Sequence, residues 1–221
     1  MGSGPSRGTR CWPVVLLVMA VAACAPATPP PTTTSTTTTT TDRDGIAYRN
    51  DADLQRVWLA NGFSVKRYQT VLVLEPRTDV PKLNPDGKEN LQWARGLLRD
   101  EVVKALRAKR VFPAIALTPT EVPPGARSLR METTIVEYEK GGGGARFFAG
   151  AYGAGQPVIR VRGRVVDGDR PVFAFDARRS GDSGLSRAFG GYRGDRAIQE
   201  EDIRDLAVDL ADFLIRNASA P

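Results

Sequence analysis

The sequence predicts an α+β fold, a mostly antiparallel sheet of about five strands with two long helices packed on one face. Two observations support this class. Apolar residues recur every three or four positions in residues 84–110 and again in residues 196–217, which is the period of an amphipathic helix. Between these segments apolar and polar residues alternate, as they do in strands with one face in the core. The order strand, helix, strand, three strands, helix is typical of this class.

Two elements are predicted before the first long helix. The segment DADLQRVWLANGF is predicted to be a short helix with Leu54, Val57 and Trp58 on one side. The apolar run YQTVLVLEP has the length of a strand and ends at a proline. Because it is apolar throughout, we expect this strand to be covered on both faces.

The first long helix has the clearest pattern in the chain. Asp86 can cap its N-terminus, and Glu89 three residues later completes a pair of the capping-box type. Cations crowd its C-terminal end, where the helix dipole favours positive charge. The segment VFPAIALTP that follows is predicted to be a strand. The apolar stripe of the helix consists of Leu91, Ala94, Leu98, Val102 and Ala105.

The second half of the domain is predicted to contain three alternating strands and a closing helix. The first strand is SLRMETTIVEYEK, and a hairpin follows whose turn lies at Asp167-Gly168. A loop rich in glycine and serine covers residues 180–194. The last helix is predicted from about Arg196 to Asn217, with an apolar stripe on one side.

Residues 1–23 are predicted to be a lipoprotein signal peptide. Arg7 and Arg10 precede an apolar run that is too short to span a bilayer, which needs about 20 residues. The stretch Val21-Ala22-Ala23-Cys24 resembles the lipobox of bacterial lipoproteins. The resemblance implies that Cys24 is lipidated and becomes the first residue of the mature chain. The alternative is an ordinary signal peptide followed by an incidental cysteine.

Residues 24–45 are predicted to be the lipidated cysteine and a disordered tether rich in proline and threonine, because such a tract cannot bury enough apolar surface to fold. Several acyl chains would anchor the protein stably to one leaflet. Ala25 stands where enterobacterial lipoproteins retained in the inner membrane carry aspartate. The resemblance therefore favours the periplasmic face of the outer membrane, with the outer face of the cytoplasmic membrane as the alternative. Residues 46–221 are predicted to form one periplasmic domain.

Composition argues against several kinds of chemistry. The chain has no histidine, and its two cysteines are Cys11, which leaves with the signal peptide, and Cys24, so no thiol remains for a disulfide, metal site or nucleophile. A serine nucleophile would need an activating base. The formal net charge is +6, and loss of Arg7 and Arg10 with the signal peptide leaves +4 on the mature chain, which is modest; secreted chains do not normally meet nucleic acid. We expect a protein that is not an enzyme and has no metal, cofactor or nucleic-acid partner; a hydrolase using carboxylates alone is the remaining enzymatic alternative.

The glycine-rich segment KGGGGARFFAGAYGAGQP does not predict a nucleotide site. Its glycines do not follow G-x-G-x-x-G, and it leads past Pro157 into a strand, whereas a phosphate-binding loop opens a helix. One interpretation is a flexible link followed by a closely packed entry into the strand. The other is a contact surface for a partner, whose candidate residues are Arg146, Phe147, Phe148 and Tyr152.

A row of arginines follows on one side of the next strand. Arg160, Arg162 and Arg164 alternate with apolar residues and are the remaining candidate contact residues. They could meet an anionic surface such as a lipid headgroup or a cell-wall glycan. The alternative is pairing with carboxylates of neighbouring strands, among them Glu132, Glu137, Glu139 and Asp176.

The stretch from the glycine run through the hairpin resembles an uncharacterised bacterial lipoprotein family, a domain of unknown function. The likeness covers about Tyr68 to Arg216 and is carried by Ala145-Arg146, Gly150, Gly153, Gly155, the strand Ile159 to Val165 and Asp167. More distantly, the layout is similar to domains of the curli-secretion lipoprotein, the penicillin-binding-protein activator lipoprotein and the Tol-system beta-propeller protein. These likenesses imply a non-enzymatic module that binds or assembles an envelope protein, and they leave a homo-oligomer open.

Overall fold

A computed structural model describes residues 40–41, 45–81, 83, 85–141, 156–181 and 194–217. The predicted signal peptide with Cys24 lies outside these residues, as does most of the predicted tether. Two long helices are present in the described part: α1 spans Pro85–Ala108 and α2 spans Asp195–Arg216. Short 3-10 turns lie at Val65–Arg67 and Pro119–Glu121.

Nine strands in the described part of the chain form one sheet. They are β1 Thr40–Thr41, β2 Ala47–Asp51, β3 Gln55–Leu59, β4 Thr70–Val73, β5 Arg77–Thr78, β6 Ala114–Ala116, β7 Ser128–Glu139, β8 Val158–Asp167 and β9 Arg170–Ser180. Eight of them follow the order β1-β2-β3-β9-β8-β7-β4-β6, and β5 pairs with β7.

The sheet is mixed, so the predicted sheet of about five mostly antiparallel strands is wrong in number and in strand direction. The pairs from β1 to β7 along this order are antiparallel, whereas β4 lies parallel to both β6 and β7, and β5 lies parallel to β7. The reason is the crossover through α1, since parallel strands need a long connection of this kind. Strand β4 is fully buried, as the prediction of a strand covered on both faces requires.

The predicted helix in residues 51–63 is also wrong, because this segment contains the last residue of β2, the turn to β3 and all of β3. Asp51 Oδ1 accepts hydrogen bonds from the backbone N–H groups of Asp53, at 3.0 Å, and Leu54, at 2.9 Å. Such side-chain bonds stabilise a turn at the expense of a helix. Val57 and Trp58 then point to opposite faces of a strand, so they do not form a helical stripe.

The core lies between the two helices and one face of the sheet. Leu98 of α1 and Leu206 of α2 are almost fully buried in it. The ring of Phe173 on β9 stacks on Phe213 of α2, with centroids 5.0 Å apart. Gly163 on β8 pairs with Phe175 on β9 and leaves room for the phenyl ring. Alternation along these strands sends the intervening side chains to the opposite face of the sheet, which we name the outer face.

Candidate functional site

Strand alternation places the predicted arginine row on the outer face. On β8, Val161 and Val165 are buried in the core, while Arg160, Arg162 and Arg164 point the other way and are half-buried or exposed. The neighbouring strands β7, β9 and β3 add further charged side chains to this face through the same alternation. The row therefore lies in the middle of a charged surface that spans four strands.

A cluster around Asp176 of β9 forms the centre of this surface. Arg160 binds its carboxylate with two hydrogen bonds, from Nε to Oδ1 and from Nη2 to Oδ2, each 2.7 Å long. Arg162, directly opposite Asp176 in the register, donates from Nε to Oδ2 at 3.3 Å. Arg56 of β3 donates from Nη2 to the same Oδ2. Three guanidinium groups from two strands thus surround one carboxylate.

An irregularity in β3 brings Arg56 to this position. Gln55 and Arg56 both stand opposite Asp176, which is a β-bulge of the kind that redirects a side chain. Gln55 adopts a φ of 63°, which is uncommon for a residue other than glycine. Its side-chain amide holds the bulge by donating from Nε2 to the carbonyl of Arg178 and accepting from the N–H of Arg178, both at 2.9 Å.

Asp176 is held in its charged form. Burial raises the pKa of this carboxyl, but hydrogen bonds from Arg160 and Arg56 and their positive charges outweigh burial, so the pKa lies below its usual value. The side chain of Asp176 is only 1% exposed. Because these charge-assisted hydrogen bonds have defined geometry, the buried carboxylate also fixes the orientation of the arginines around it.

Two smaller clusters complete the surface. Glu132 of β7 accepts hydrogen bonds from Arg164 at 2.8 Å and from Arg130 at 2.7 Å. Burial raises the pKa of Glu132, but the hydrogen bonds and positive charges of these two arginines outweigh burial, so the pKa lies below its usual value. Glu137 accepts from Arg178 Nη2 at 3.1 Å. The prediction that the arginine row pairs with carboxylates of neighbouring strands is confirmed for Glu132 and Asp176.

Six arginines bind three carboxylates in these three clusters. The partners do not end there, because Arg130 Nη2 also lies 4.0 Å from Asp169 Oδ1, and Arg160 and Arg162 have further interactions. Guanidinium groups fixed in this way bind carboxylate or phosphate oxygens in defined geometry. The surface therefore presents guanidinium groups in fixed orientations.

Aromatic side chains border the Asp176 cluster. The guanidinium of Arg56 lies over the ring of Tyr48, 5.3 Å from its centroid. Trp58 stands on the outer face opposite Ala174 and is half-buried. Tyr48 is only 5% exposed, so of these two rings it is Trp58 that offers apolar contact area on this face, while Tyr48 supports Arg56 through a cation–π contact.

Sequence reasoning missed three arginines of the surface and left four candidate residues untested. Arg56 was assigned to a helix; Arg130 and Arg178 lie on strands whose alternation could have placed them on this face. The candidates Arg146, Phe147, Phe148 and Tyr152 lie outside the described residues, and so does Cys24.

Within the described ranges, no three histidine, cysteine or acidic side chains come together as a metal site. Neither α1 nor α2 is long and apolar enough to cross a membrane, and the same holds for every helix in the described ranges.

The fold and the site define a two-layer α+β domain with helices on one sheet face and charged side chains on the other. No protein-family profile matches the chain, and no curated protein matches it. Solved structures with a similar layout include the PelC dodecamer from Paraburkholderia phytofirmans, with 17% identity, a TM-score of 0.43 and coverage of 70% of this chain and 94% of that chain.

Two further structures share the layout. A protein of family DUF330 from Xanthomonas campestris is 13% identical, covers 72% of this chain and 90% of its own, and has a TM-score of 0.41. A putative neuraminyllactose-binding hemagglutinin homologue from Helicobacter pylori is 12% identical, covers 73% and 91%, and has a TM-score of 0.36. A domain of unknown function is thus among the structural neighbours. At these scores the likenesses carry no argument about function, and the resemblance to curli-secretion and penicillin-binding-protein activator domains stays a prediction.

Proposed function

We propose that this protein is a lipid-anchored binding or assembly module of the cell envelope that acts through protein contacts. The observation that supports this best is the outer face, where arginines are fixed by carboxylates and bordered by Tyr48 and Trp58. Arginine and aromatic residues dominate the binding energy of many interfaces. Side chains that are already held in place lose less conformational entropy when a partner binds.

The anchor and location belong to the same proposal. Lipidated at Cys24, the protein would face the periplasm from the outer membrane, or stand on the outer face of the cytoplasmic membrane. Mass spectrometry of the mature N-terminus and fractionation of Cys24→Ala test this part. An unmodified N-terminus at another residue, or a wild-type chain that fractionates as free periplasmic protein, would contradict the anchor.

Site-specific photo-crosslinking in whole envelopes tests the contact surface. A crosslinker at Trp58 on the outer face should capture a reproducible protein partner, and Arg162→Glu should abolish that capture. The control position is Lys88, which is exposed on α1 on the opposite side of the domain. Equal capture from both positions, or no reproducible product from Trp58, would refute a protein-binding role of this face. A homo-oligomer would appear as a crosslink between two copies of the chain.

A second candidate function is recognition of an anionic envelope component by the arginine face. The six arginines that the clusters fix on this face favour it. Charge reversal at Arg160 and Arg162 should abolish salt-sensitive sedimentation with anionic vesicles or cell-wall glycan. Unchanged sedimentation would exclude this candidate.

The proposal includes no catalysis. The three carboxylates of the clusters each accept arginine hydrogen bonds, and the pKa values of Asp176 and Glu132 are lowered, whereas a general acid at neutral pH needs a raised pKa. The carboxylate-only hydrolase is therefore disfavoured on this face. Release of reducing sugar from cell-wall glycan by the wild-type protein, lost in Glu132→Gln, would overturn this view.

A further inference from the structure

Three parallel strands begin at the same end of the sheet, and an arginine precedes each of them. The first residue of β4 pairs with the first residues of both β6 and β7. Arg67 stands three residues before β4, Arg110 four residues before β6 and Arg127 immediately before β7. The strand order therefore brings cations from distant parts of the chain to one end of the domain.

Some cations at this end of the sheet have carboxylate partners. Arg127 lies 3.4 Å from Asp167, and Lys109 lies 2.7 Å from Asp212. Other arginines at this end are exposed, and within the described residues their side chains make no hydrogen bond or ion pair. We name these arginines the basic end of the domain; they are Arg67, Arg107, Arg110 and Arg170.

The backbone of Arg110 adopts a conformation that favours glycine. Its φ is 52°, and it follows α1 at the position where many helices end with glycine in the left-handed region. The N–H of Val111 donates to the carbonyl of Leu106 at 3.0 Å, which is the hydrogen bond that accompanies this type of helix ending. A branched-chain conformation of this kind costs stability in any residue with a Cβ atom, so the local backbone gives no reason for an arginine here.

The chain that leads from Cys24 reaches the domain at this same end. Four antiparallel steps separate β2 from β7, so the two strands run in the same direction and begin at the same end of the sheet. Residues 40–41 pair with the first two residues of β2. A flexible tether of about 17 residues spans about 20–25 Å, so an anchored domain stays close to the bilayer.

We propose that the basic end docks on the anionic headgroups of the bilayer that holds the lipid anchor. This inference rests on the proposed anchor at Cys24 and adds the orientation of the domain to it. Guanidinium groups bind phosphate oxygens, and each basic residue close to an anionic surface strengthens the attraction about fivefold. The tether keeps the basic end near that surface, so a modest attraction is enough to orient the domain.

The chemistry of the basic end fits headgroups better than a protein partner. Phe63, Tyr68 and Phe112, the aromatic residues that flank these arginines in the sequence, are each 5% exposed. Protein interfaces usually include exposed aromatic or apolar side chains, whereas a headgroup surface needs only charge. The strands run away from the basic end, so docking leaves the outer face open to a protein partner.

Fluorescence energy transfer to acceptor dyes in the bilayer measures this orientation. The mature full chain is purified from membranes and inserted into vesicles of phosphatidylcholine, either alone or mixed with an equal part of phosphatidylglycerol. The donor dye is attached at Asp169→Cys, in the turn between β8 and β9 at the basic end, or at Glu139→Cys, at the far end of β7. Each labelled variant lacks one negative charge, so the two are matched.

The expected result is a difference between the two labels that depends on anionic lipid. About 30 Å separates the two positions along β8, so transfer from Asp169→Cys should exceed transfer from Glu139→Cys at least about twofold in anionic vesicles. The ratio should fall towards one in phosphatidylcholine alone. It should also fall at about 1 M salt, where charges are screened beyond about 3 Å.

Charge-reversal variants identify the surface that docks. Arg107→Glu combined with Arg110→Glu should bring the ratio in anionic vesicles to about one. The control combines Lys88→Glu with Lys140→Glu, because both lysines are exposed at the opposite end and the change in net charge is the same. Circular dichroism checks that each variant folds, and Arg67→Glu is a further variant if the first pair does not.

Arg110→Gly separates docking from the stability of α1. Glycine relieves the left-handed backbone, so the melting temperature should rise by about 2–4 °C while the transfer ratio in anionic vesicles falls. If Arg110 instead served the dipole at the C-terminus of α1, its loss would lower the melting temperature and leave the ratio unchanged. That result would contradict the proposal.

Other results would overturn the proposal directly. They are equal transfer from both labels in anionic vesicles, a ratio that survives Arg107→Glu with Arg110→Glu, and a control pair that abolishes the ratio equally. Equal transfer, together with capture of an envelope protein by a crosslinker at Asp169, would assign the basic end to a protein instead.

Failure of the anchor is distinguishable from failure of docking. An acylated Cys24 cannot react with the donor dye, so labelling of Cys24 would refute the anchor alone. The full chain is then tested by sedimentation with the same vesicles. Salt-sensitive sedimentation that is lost in Arg107→Glu with Arg110→Glu supports docking, and its absence overturns docking.

Discussion

Gly163→Ala should destabilise the domain, although alanine is otherwise the better residue in a strand. A Cβ atom at this position would lie 2.0 Å and 2.3 Å from two ring carbons of Phe175. The ring cannot easily move away, because Phe175 is 1% exposed and stacks on Phe173, which in turn stacks on Phe213. The substitution therefore forces overpacking between β8, β9 and α2.

The size of this effect follows from two opposing contributions. Overpacking a core costs about 1–3 kcal/mol, and the reduced entropy of the unfolded chain returns about 0.4–1 kcal/mol. We expect a net loss of about 1–2 kcal/mol in the free energy of unfolding, measured by urea denaturation followed by circular dichroism. The matched control is Gly96→Ala in α1, where no atom lies within 4 Å of the added Cβ. It should stabilise by up to about 1 kcal/mol.

A double-mutant cycle identifies the cause. Phe175→Leu removes the ring atoms that the new methyl group would meet, so Gly163→Ala should cost at least about 1 kcal/mol less in that background. If Gly163→Ala proves as stable as Gly96→Ala, or if its cost does not depend on residue 175, the close approach of Gly163 to the ring is not a constraint. The explanation of this glycine would then be wrong.

Three further predictions concern stability. Asp176→Asn should make the free energy of unfolding less dependent on pH in the acid range. The pKa of Asp176 is lowered in the folded state, so the wild type loses stability as pH falls below about 4, and the variant should not show this contribution when urea denaturation is repeated at decreasing pH. Gln199→Ala should cost about 1–3 kcal/mol in urea denaturation, because buried Gln199 accepts from Tyr138 Oη at 3.0 Å. Gly168→Ala should cost about 1–2 kcal/mol by thermal denaturation, because Gly168 has a φ of 61° in the hairpin turn; unchanged values would contradict either of these last two.

The local sequence pattern predicts much of the fold. The predictions that fail are those in which strand pairing or a single side-chain hydrogen bond decides the structure. The two helices and the three longest strands lie where their periodicity predicts them, within about three residues. Strand direction does not appear in that pattern, because apolar β4 reads the same whether its neighbours run parallel or antiparallel. The sequence does not predict the hairpin of β2 and β3, because Leu54, Val57 and Trp58 have helical spacing. The hydrogen bonds that Asp51 Oδ1 accepts from the backbone stabilise a turn there instead of a helix.

The arginine surface was predictable in part. Alternation alone places Arg160, Arg162 and Arg164 on one face, and the carboxylates opposite them follow from charge pairing. Arg56 reaches Asp176 through a bulge that also puts Gln55 at a positive φ. Nothing in the local pattern marks such a bulge, because it depends on which strand becomes the neighbour of β9. The three-fold environment of Asp176 could therefore be seen only after the strand order was known.

The Asp176 cluster and its surroundings do not maximise the free energy of unfolding of the domain. Arg160 and Arg178 are directly opposite one another in the register, and like charges in that position destabilise a sheet. Burying Asp176 requires several charged hydrogen bonds to offset its desolvation, and apolar residues often serve as well or better in such places. Residues on an exposed sheet face could be threonine or glutamine without this conflict. We infer that the cluster serves to fix these side chains on the outer face, since one buried carboxylate reduces the repulsion among three cations from β3 and β8.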